Sequence, residues 1–344
     1  MKVAHVLRAW GKLAQGEVPS LSIEVTKECP LHCPGCYAYH PEHLGGALTL
    51  RELSDFRGQA LIDGVMGLAD RFQPLHISLV GGDPLVRYRE LEVLIPLLTA
   101  RGIHVQVVTS AFRTLPAQWA NLPGLSIAVS IDGLQPEHDI RRAPATYERI
   151  LANIAGHRVI VHCTITAQMM QRPGYLEDFL RFWAPRPEVH KVWFSMFTPQ
   201  IGDDLPEILS PELRSRAVAE LMELRKKYAN LEMPEVLIHK FLDPPSSPED
   251  CTFAQTTHSI SADLKSAISP CQLGGNPDCS ACGCYASMGL HALSSHVWGG
   301  IVPIGMLYRA TMRIGRKFAA IQARDRGDHR QAPALVQLRS GNTP

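Results

Sequence analysis

The 344-residue chain has almost no net charge: 34 Lys and Arg stand against 33 Asp and Glu, a formal +1. A dedicated nucleic-acid binder needs a surplus of basic side chains for its phosphate contacts, so that class is set aside. No apolar run approaches the roughly 18 residues of a membrane-spanning helix. The first 20 residues lack a clean apolar stretch before a cleavage site, so they do not read as a signal peptide. The chain is also too long, and too thin in cysteine, for a secreted disulfide scaffold. It is not short of apolar material: 45% of residues are hydrophobic and 19% charged, which excludes global disorder. These absences leave a cytoplasmic globular protein with reduced cysteines that hold metal.

Six apolar-alternating runs recur, at Leu21–Thr26, Leu75–Val80, Val105–Thr109, Leu125–Ile131, Val159–Thr166 and Val192–Thr198. Helical stretches at Thr49–Phe72, Arg87–Arg101, Pro116–Asn121, Tyr147–His157 and Gly174–Trp183 separate them, and a longer helix follows at Pro211–Ala229. Strands alternating with helices predict parallel βα units. Six units predict an α/β fold built on a partial (β/α)6 TIM-like barrel; a doubly wound sheet has the same rhythm. Parallel strands buried on both faces read as continuous apolar runs. Here one face of each strand is small and polar: Ser22, Glu24 and Thr26 in the first, Ser126, Ala128, Ser130 and Asp132 in the fourth, His162, Thr164 and Thr166 in the fifth. The apolar face must meet helices, so the polar face is expected to line a hydrated or ligand-filled interior.

Eight of the nine cysteines fall in two groups. Cys29, Cys33 and Cys36 form a C-x3-C-x2-C loop directly after the first strand, at the strand end where barrel sites lie. Three thiolates on one loop suit a [4Fe–4S] cluster with one iron left open. A zinc site would call for a fourth ligand, which His32 inside the loop is badly placed to give. The ninth, Cys163, lies on the apolar side of its strand and reads as a structural thiol, as Met169 and Met170 read as packing.

LSIEVTKECPLHCPGCYAY resembles the signature of the radical S-adenosylmethionine (SAM) superfamily. The resemblance covers roughly residues 20–200. It implies that the three cysteines bind the cluster, that SAM chelates the open iron, and that Tyr37 packs near the adenine. It further implies reductive cleavage of SAM to a 5′-deoxyadenosyl radical, with electrons from a reductase such as flavodoxin or ferredoxin. Gly81, Gly82, Asp83 and Pro84 resemble the family's Gly-Gly-Glu-Pro element, which meets the SAM amino group; Asp83 replaces the usual Glu. Ser130 and Asp132, with His138, Asp139 and Arg142 beyond them, resemble the fourth-strand element that faces the SAM ribose or the substrate. Thr109 and Ser110 stand where relatives carry Thr-Asn-Gly, without the Asn.

Cys251 and Cys271 bracket a segment that reads as a short hairpin, followed by Cys279, Cys282 and Cys284. This resembles the SPASM and Twitch extensions of radical SAM enzymes and implies an auxiliary [4Fe–4S] cluster, with zinc as the alternative. The expected ligands are Cys251, Cys271, Cys279 and Cys282, with Cys284 a substitute or spare. Ser266 replaces the glycine usual in that hairpin. NPDCSACGCYASMGL also resembles the C-terminal cysteine segment of hopanoid adenosyltransferases.

Both ends are basic and amphipathic. Ile304, Leu307, Ile314, Phe318 and Ile321 share one helical face, while Arg309, Arg313, Arg316, Lys317 and Arg324 follow another. Val3, Val6, Leu7, Trp10 and Leu13 against Lys2, Arg8 and Lys12 repeat the pattern. Such helices either cover a core or lie on anionic lipid. The expected organisation is an amphipathic segment at 1–19, the barrel at 20–242, the cysteine module at 243–293, a basic helix at 294–323 and a disordered tail at 324–344. The expected function is radical SAM modification of an unactivated carbon in a hydrophobic isoprenoid or lipid, with peripheral membrane contact. The alternatives are a peptide-modifying maturase, against which no leader-binding domain precedes the barrel, and a non-catalytic Fe–S or zinc scaffold.

Overall fold

The computed structural model describes residues 3–46, 48–295, 297–298 and 302–325. Seven parallel strands form its centre: β1 (Ser20–Glu24), β2 (His76–Val80), β3 (His104–Thr109), β4 (Leu125–Ser130), β5 (Val159–Ile165), β6 (Val189–Met196) and β7 (Thr257–Ile260). Their spatial order is β6-β5-β4-β3-β2-β1-β7. The six expected strands are present, neighbours in sequence are neighbours in space, and β6 and β7 are the two end strands, not paired with each other, so the sheet does not close. The seventh strand was not expected. Thr257–Ile260 adds in parallel to β1 (Ser22 opposite Ser259). It also turns back as the predicted hairpin through an antiparallel bridge from Ile260 to Ala267. Ser266 serves that turn in place of glycine: its Oγ donates to Asp263 Oδ2 at 2.6 Å and its N–H to Oδ1 at 2.8 Å.

Around the sheet lie α1 (Val3–Ala14), α2 (Gly58–Phe72), α3 (Tyr88–Ala100), α4 (Gln135–Arg141), α5 (Tyr147–Asn153), α6 (Ala167–Met170) and α7 (Tyr175–Trp183). Next come α8 (Pro211–Lys227), α9 (Glu235–Lys240), α10 (Thr252–Thr256), α11 (Tyr285–Ser295) and α12 (Ile304–Asp325). A two-residue hairpin, β8 (Val297–Trp298) and β9 (Val302–Pro303), joins the last two. In α2 the buried residues Leu61, Ile62, Val65, Leu68 and Ala69 recur at the i, i+3/i+4, i+7 spacing of one helical face. They meet the apolar strand face, where Leu21, Ile23, Ile77, Leu79, Val105, Val107, Val161 and Cys163 are all at most 2% exposed. Burial at this scale, on the order of 25 cal/mol per Å² of apolar surface, is what holds the helices on the sheet. Cys163 thus sits in the core, as its place in the strand pattern implies.

The opposite face is polar, as the alternation predicts. Ser22, Glu24, Ser78, Gln106, Ser126, Ser130, His162 and Ser259 lie on this face, where closed barrels usually carry branched aliphatic filling.

At the C-terminus α12 packs against α1. Trp10 Nε1 donates to Thr311 Oγ1 at 3.0 Å, and a Cβ on Gly315 would lie 2.2 Å from Leu13 O. The buried side of α12 is therefore Gly305, Met312 and Gly315. The predicted stripe is rotated away from it: Leu307 is 37% and Ile314 54% exposed. The side chains of Phe318, Ile321, Arg316 and Arg324 lie outside the described set, as do those of Val3 and Val6. Lys2 and the tail from 326 onward lie outside the described residues. The helix runs through Arg324 and Asp325, two residues into the segment expected to be tail.

Candidate active site

Cys29, Cys33 and Cys36 are free, half-buried thiols on the loop after β1. Gly35 takes a left-handed φ of 65°, which lets the loop turn back between Cys33 and Cys36. Arg141 Nη2 donates to Pro34 O at 2.7 Å, fixing the turn from the β4 side. Burial pushes the Cys29 thiol up to about 12, with Asp83, Cys33 and Cys36 adding to the rise. Burial also raises Cys33, against the opposing pull of Arg142. Clustered thiols that resist ionisation alone, beside a buried guanidinium, suit a metal centre that supplies positive charge and displaces their protons.

The Gly-Gly-Asp-Pro segment is stitched to the root of this loop. Gly82 N–H donates to Thr26 O at 2.8 Å and Asp83 N–H to Glu28 O at 2.9 Å. The glycines are needed for that approach. A Cβ on Gly82 would stand 2.1 Å from Glu28 O, and one on Gly81, at φ 124°, 2.6 Å from Thr26 O. Asp83 turns inward. Its Oδ1 accepts from Leu85 N–H (3.0 Å) and Thr109 Oγ1 (2.7 Å), and its Oδ2 from Ser110 N–H (2.8 Å) and Ser110 Oγ (2.6 Å). All four acceptor positions are filled, and Pro84 begins the turn that the carboxylate caps. Thr109 and Ser110 thus meet Asp83.

Ser130 lies at the end of β4 facing the lumen, in register with His162. Asp132 is buried. Burial alone would raise its pKa, but Arg142 and Arg141 hold it below the usual carboxylate value. Its Oδ2 accepts from Arg142 Nε at 2.8 Å and Arg141 Nε at 3.3 Å, and Arg141 continues to Glu207 at 3.0 Å. His138 Nδ1 accepts the Asp132 N–H at 2.9 Å while Nε2 faces Ala145 O at 2.9 Å. That fixes the neutral Nε2–H tautomer, in accord with a pKa that burial lowers to about 4. Arg141 and Glu207 were not singled out in the sequence; Arg141, one residue before Arg142, gave no periodic signal.

Tyr37 lies between the two cysteine groups. Burial, then Glu24, Cys36, Cys284 and Cys271, raise its phenol above the usual value. Behind it, Glu24 Oε1 meets His43 Nε2 at 2.9 Å and Glu24 Oε2 accepts from Ser261 Oγ at 2.6 Å.

All five cysteines of the second group line one cleft of about 20 Å³, together with Phe253, Pro270 and Leu273. Cys251 Sγ lies 3.1 Å from Ser287 Oγ, and Gln272 Nε2 reaches Cys284 Sγ at 3.5 Å. Burial raises Cys279 and Cys284 to about 12. Gly283 sits where any Cβ would meet Met196 O at 2.0 Å, so Cys282 and Cys284 are held against the end of β6. Arg214 of α8 ties the same turn down, donating to Cys282 O at 3.0 Å and to Ala281 O at 2.5 Å.

Residues 23–170 match the family model described as the Radical SAM superfamily. Over that segment the chain matches a radical SAM domain. This α/β fold is shared with solved radical SAM proteins. Hexahistidine-tagged anSMEcpe with bound AdoMet aligns at a TM-score of 0.54 and 16% identity, over 74% of each chain. Streptococcus suis SuiB bound to S-adenosylmethionine aligns at 0.51 and 13%, over 75% of this chain and 60% of SuiB. SuiB bound to precursor peptide SuiA aligns at 0.53 and 14%, over the same shares. The chain therefore spans about 60% of the length of SuiB. No curated protein sequence matches it.

Proposed function

We propose that the protein is a radical SAM enzyme with a second, auxiliary iron–sulfur centre. The observation that carries the reading is the joint: three clustered thiols whose loop is hydrogen-bonded to the Gly-Gly-Asp-Pro backbone, at the strand ends of a polar-lined parallel sheet. Cys29, Cys33 and Cys36 would hold the first [4Fe–4S] cluster, and four of Cys251, Cys271, Cys279, Cys282 and Cys284 the second. With SAM bound, the first cluster would pass one electron from the reductase into SAM, releasing methionine and a 5′-deoxyadenosyl radical able to abstract hydrogen from an unactivated carbon. The chain's own contribution is placement and exclusion. Arg142 and Arg141 keep Asp132 charged beside the cysteine loop, Asp83 locks the β2 turn to β3, and Gly81 and Gly82 bring a backbone edge within reach of a ligand. Ser130 and His162 face the lumen where substrate would lie.

The cluster reading of the second group is favoured over zinc by the resemblance of its cysteines to SPASM and Twitch modules. Tetrahedral zinc with sulfurs about 2.3 Å away draws its ligands to one point. Among the described residues no three His, Cys, Asp or Glu side chains converge on one point, in either cysteine group.

The hydrophobic-substrate reading rests on the terminal helices, whose exposed Leu7, Met306, Leu307 and Ile314 lie among Arg8, Arg309, Arg313 and Lys317. That surface suits docking on anionic lipid. No described helix is long and apolar enough to cross a membrane. A peptide substrate is the second reading, favoured by the fold shared with SuiB. Electrons would come from a flavodoxin- or ferredoxin-type reductase in the cytoplasm. The test is anaerobic reconstitution with iron and sulfide, then SAM and dithionite, with 5′-deoxyadenosine as the product sought.

A further inference from the structure

Halfway along the strands, the lumen wall carries a continuous polar row. Ser259 of β7 is in register with Ser22 of β1, Ser22 with Ser78 of β2, Ser78 with Gln106 of β3, and Gln106 with Ser126 of β4. Five adjacent strands thus present a hydroxyl or amide side chain at one level, where a filled barrel would carry branched aliphatics. Ser78, Gln106 and Ser126 are only partly buried, and Ser126 Oγ lies 3.4 Å from His104 Nε2.

Two neighbours in the row are orphans. Ser22 and Ser259 are 2% and 5% exposed, yet neither Oγ has a hydrogen-bond partner. On the opposite edge strand, Trp193 of β6 also faces the lumen, stacked on Tyr285 at 4.5 Å, and its buried Nε1–H is unpartnered. A buried polar atom left unpaired is destabilising, and native folds carry few. Three aimed at one interior, two of them side by side, are what a site looks like before its ligand completes it.

The row holds no charged residue, and the charges near it are spent. Glu24, one level up, is engaged on both oxygens by His43 and Ser261. Lys191, near the start of β6, is paired with Glu232. That same level carries Glu24 and Lys191 at its two ends and is apolar between them, with Val80, Val108, Ala128 and Ile160. Ser130 and His162 lie four residues farther along than Ser126, about 13 Å at 3.3 Å per residue.

We propose that this row is a binding chamber for the far end of the substrate, and that this end is neutral and carries hydroxyl or amide groups. The proposal rests on the radical SAM reading for which end reacts, but the chamber is a property of the sheet. The substrate is then elongated: its reacting carbon lies near Ser130 and His162, and its polar end pairs with Ser22 and Ser259. A bare hydrocarbon would leave both hydroxyls as orphaned as they are now, so an isoprenoid with no polar end does not fit.

The experiment is saturation-transfer NMR on the full chain, reconstituted anaerobically, with three neutral probes: xylitol, N-acetylglycine methylamide and 1-pentanol. The Ser22→Ala/Ser259→Ala protein is measured beside the parent. Xylitol or the diamide should receive saturation from the parent and bind the variant at least tenfold more weakly; which of them does so separates the hydroxyl source from the amide source. Because orphaned hydroxyls contribute no bond, the variant's Tm should equal or exceed the parent's. Binding of 1-pentanol alone, equal binding to parent and variant, no probe bound, or a Tm several degrees lower in the variant would each overturn the chamber. SAM cleavage by the parent is scored separately. Its failure would remove the radical reading and leave the NMR result standing.

Discussion

His43 and Glu24 meet at 2.9 Å with side chains 0% and 1% exposed. The other ring nitrogen of His43 faces Leu273 O at 3.0 Å, so both nitrogens face acceptors, an arrangement that favours the imidazolium. This pair joins the strand that leads into Cys29 to the loop between Cys271 and Cys279. Burial works against the charge, but the hydrogen bond and charge of Glu24 more than offset it, and the pKa lies above 6.5. A raised folded-state pKa gives stability that is fully present below the unfolded value and is lost as pH rises through the folded one. The unfolding free energy of the parent should therefore exceed that of His43→Ala most at pH 6, and the gap should narrow above neutrality. Glu24→Ala, which strands a buried charge, should cost about 3–5 kcal/mol. A gap that widens with pH would contradict the charged pair.

Gly82→Ala should fail at the fold before it fails at the ligand. Its Cβ meets the Glu28 carbonyl, not open space toward a bound molecule. The expected cost is about 3 kcal/mol or more, and displacement of the cysteine loop should lower iron uptake with it. Calorimetry and iron analysis of the same sample check this; a variant with parental Tm would show that the loop yields freely.

Asp83→Ala removes the acceptor for four donors and should cost about 3 kcal/mol. Because the carboxylate is fully engaged within the chain, the short Asp is the structural latch here, and Asp83→Glu should not rescue the loss. A Glu variant as stable as the parent would contradict that role.

Much of this was legible in the sequence because strand alternation is a local signal. Ser22, Glu24, Ser126 and His162 could be assigned to the lumen, and Cys163 to the core, from parity alone. The cysteine loop and the Gly-Gly-Asp-Pro turn could be placed at the same strand end from their order. What could not be read were contacts made across the chain. The parallel pairing of Thr257–Ile260 with β1 spans 237 residues between Glu24 and Ser261. Nothing near Asp83 announces that Ser110 will occupy it. Helical periodicity predicted the apolar stripe of α12, but two glycines and Met312 decide which side packs, because they let α1 approach most closely.

The second cysteine group has one thiol more than a cubane needs. Single Ala variants at the five positions, measured by iron content and Mössbauer spectra, should leave one variant with a full complement. Cys271 is the least dispensable: burial holds its pKa well above the ordinary thiol value. A Cys271→Ala protein with undiminished iron would reassign the set.

On α12, replacing Arg309, Arg313 and Lys317 with Gln should weaken binding to anionic vesicles, at about 1 kcal/mol for each basic residue near the surface. Co-sedimentation with phosphatidylserine and with neutral vesicles measures this. Equal pelleting of parent and variant would reduce the helix to a cover for α1.

The central claim is that Cys29, Cys33 and Cys36 hold the cluster at which SAM is cleaved. The most direct measurement is 5′-deoxyadenosine formed by the anaerobically reconstituted parent and by Cys29→Ala/Cys33→Ala/Cys36→Ala, with SAM and dithionite, alongside iron content. The parent should carry about eight irons and form product, and the triple variant should hold roughly half the iron and form none. Product from the triple variant, or a fully loaded parent that forms none, would contradict it.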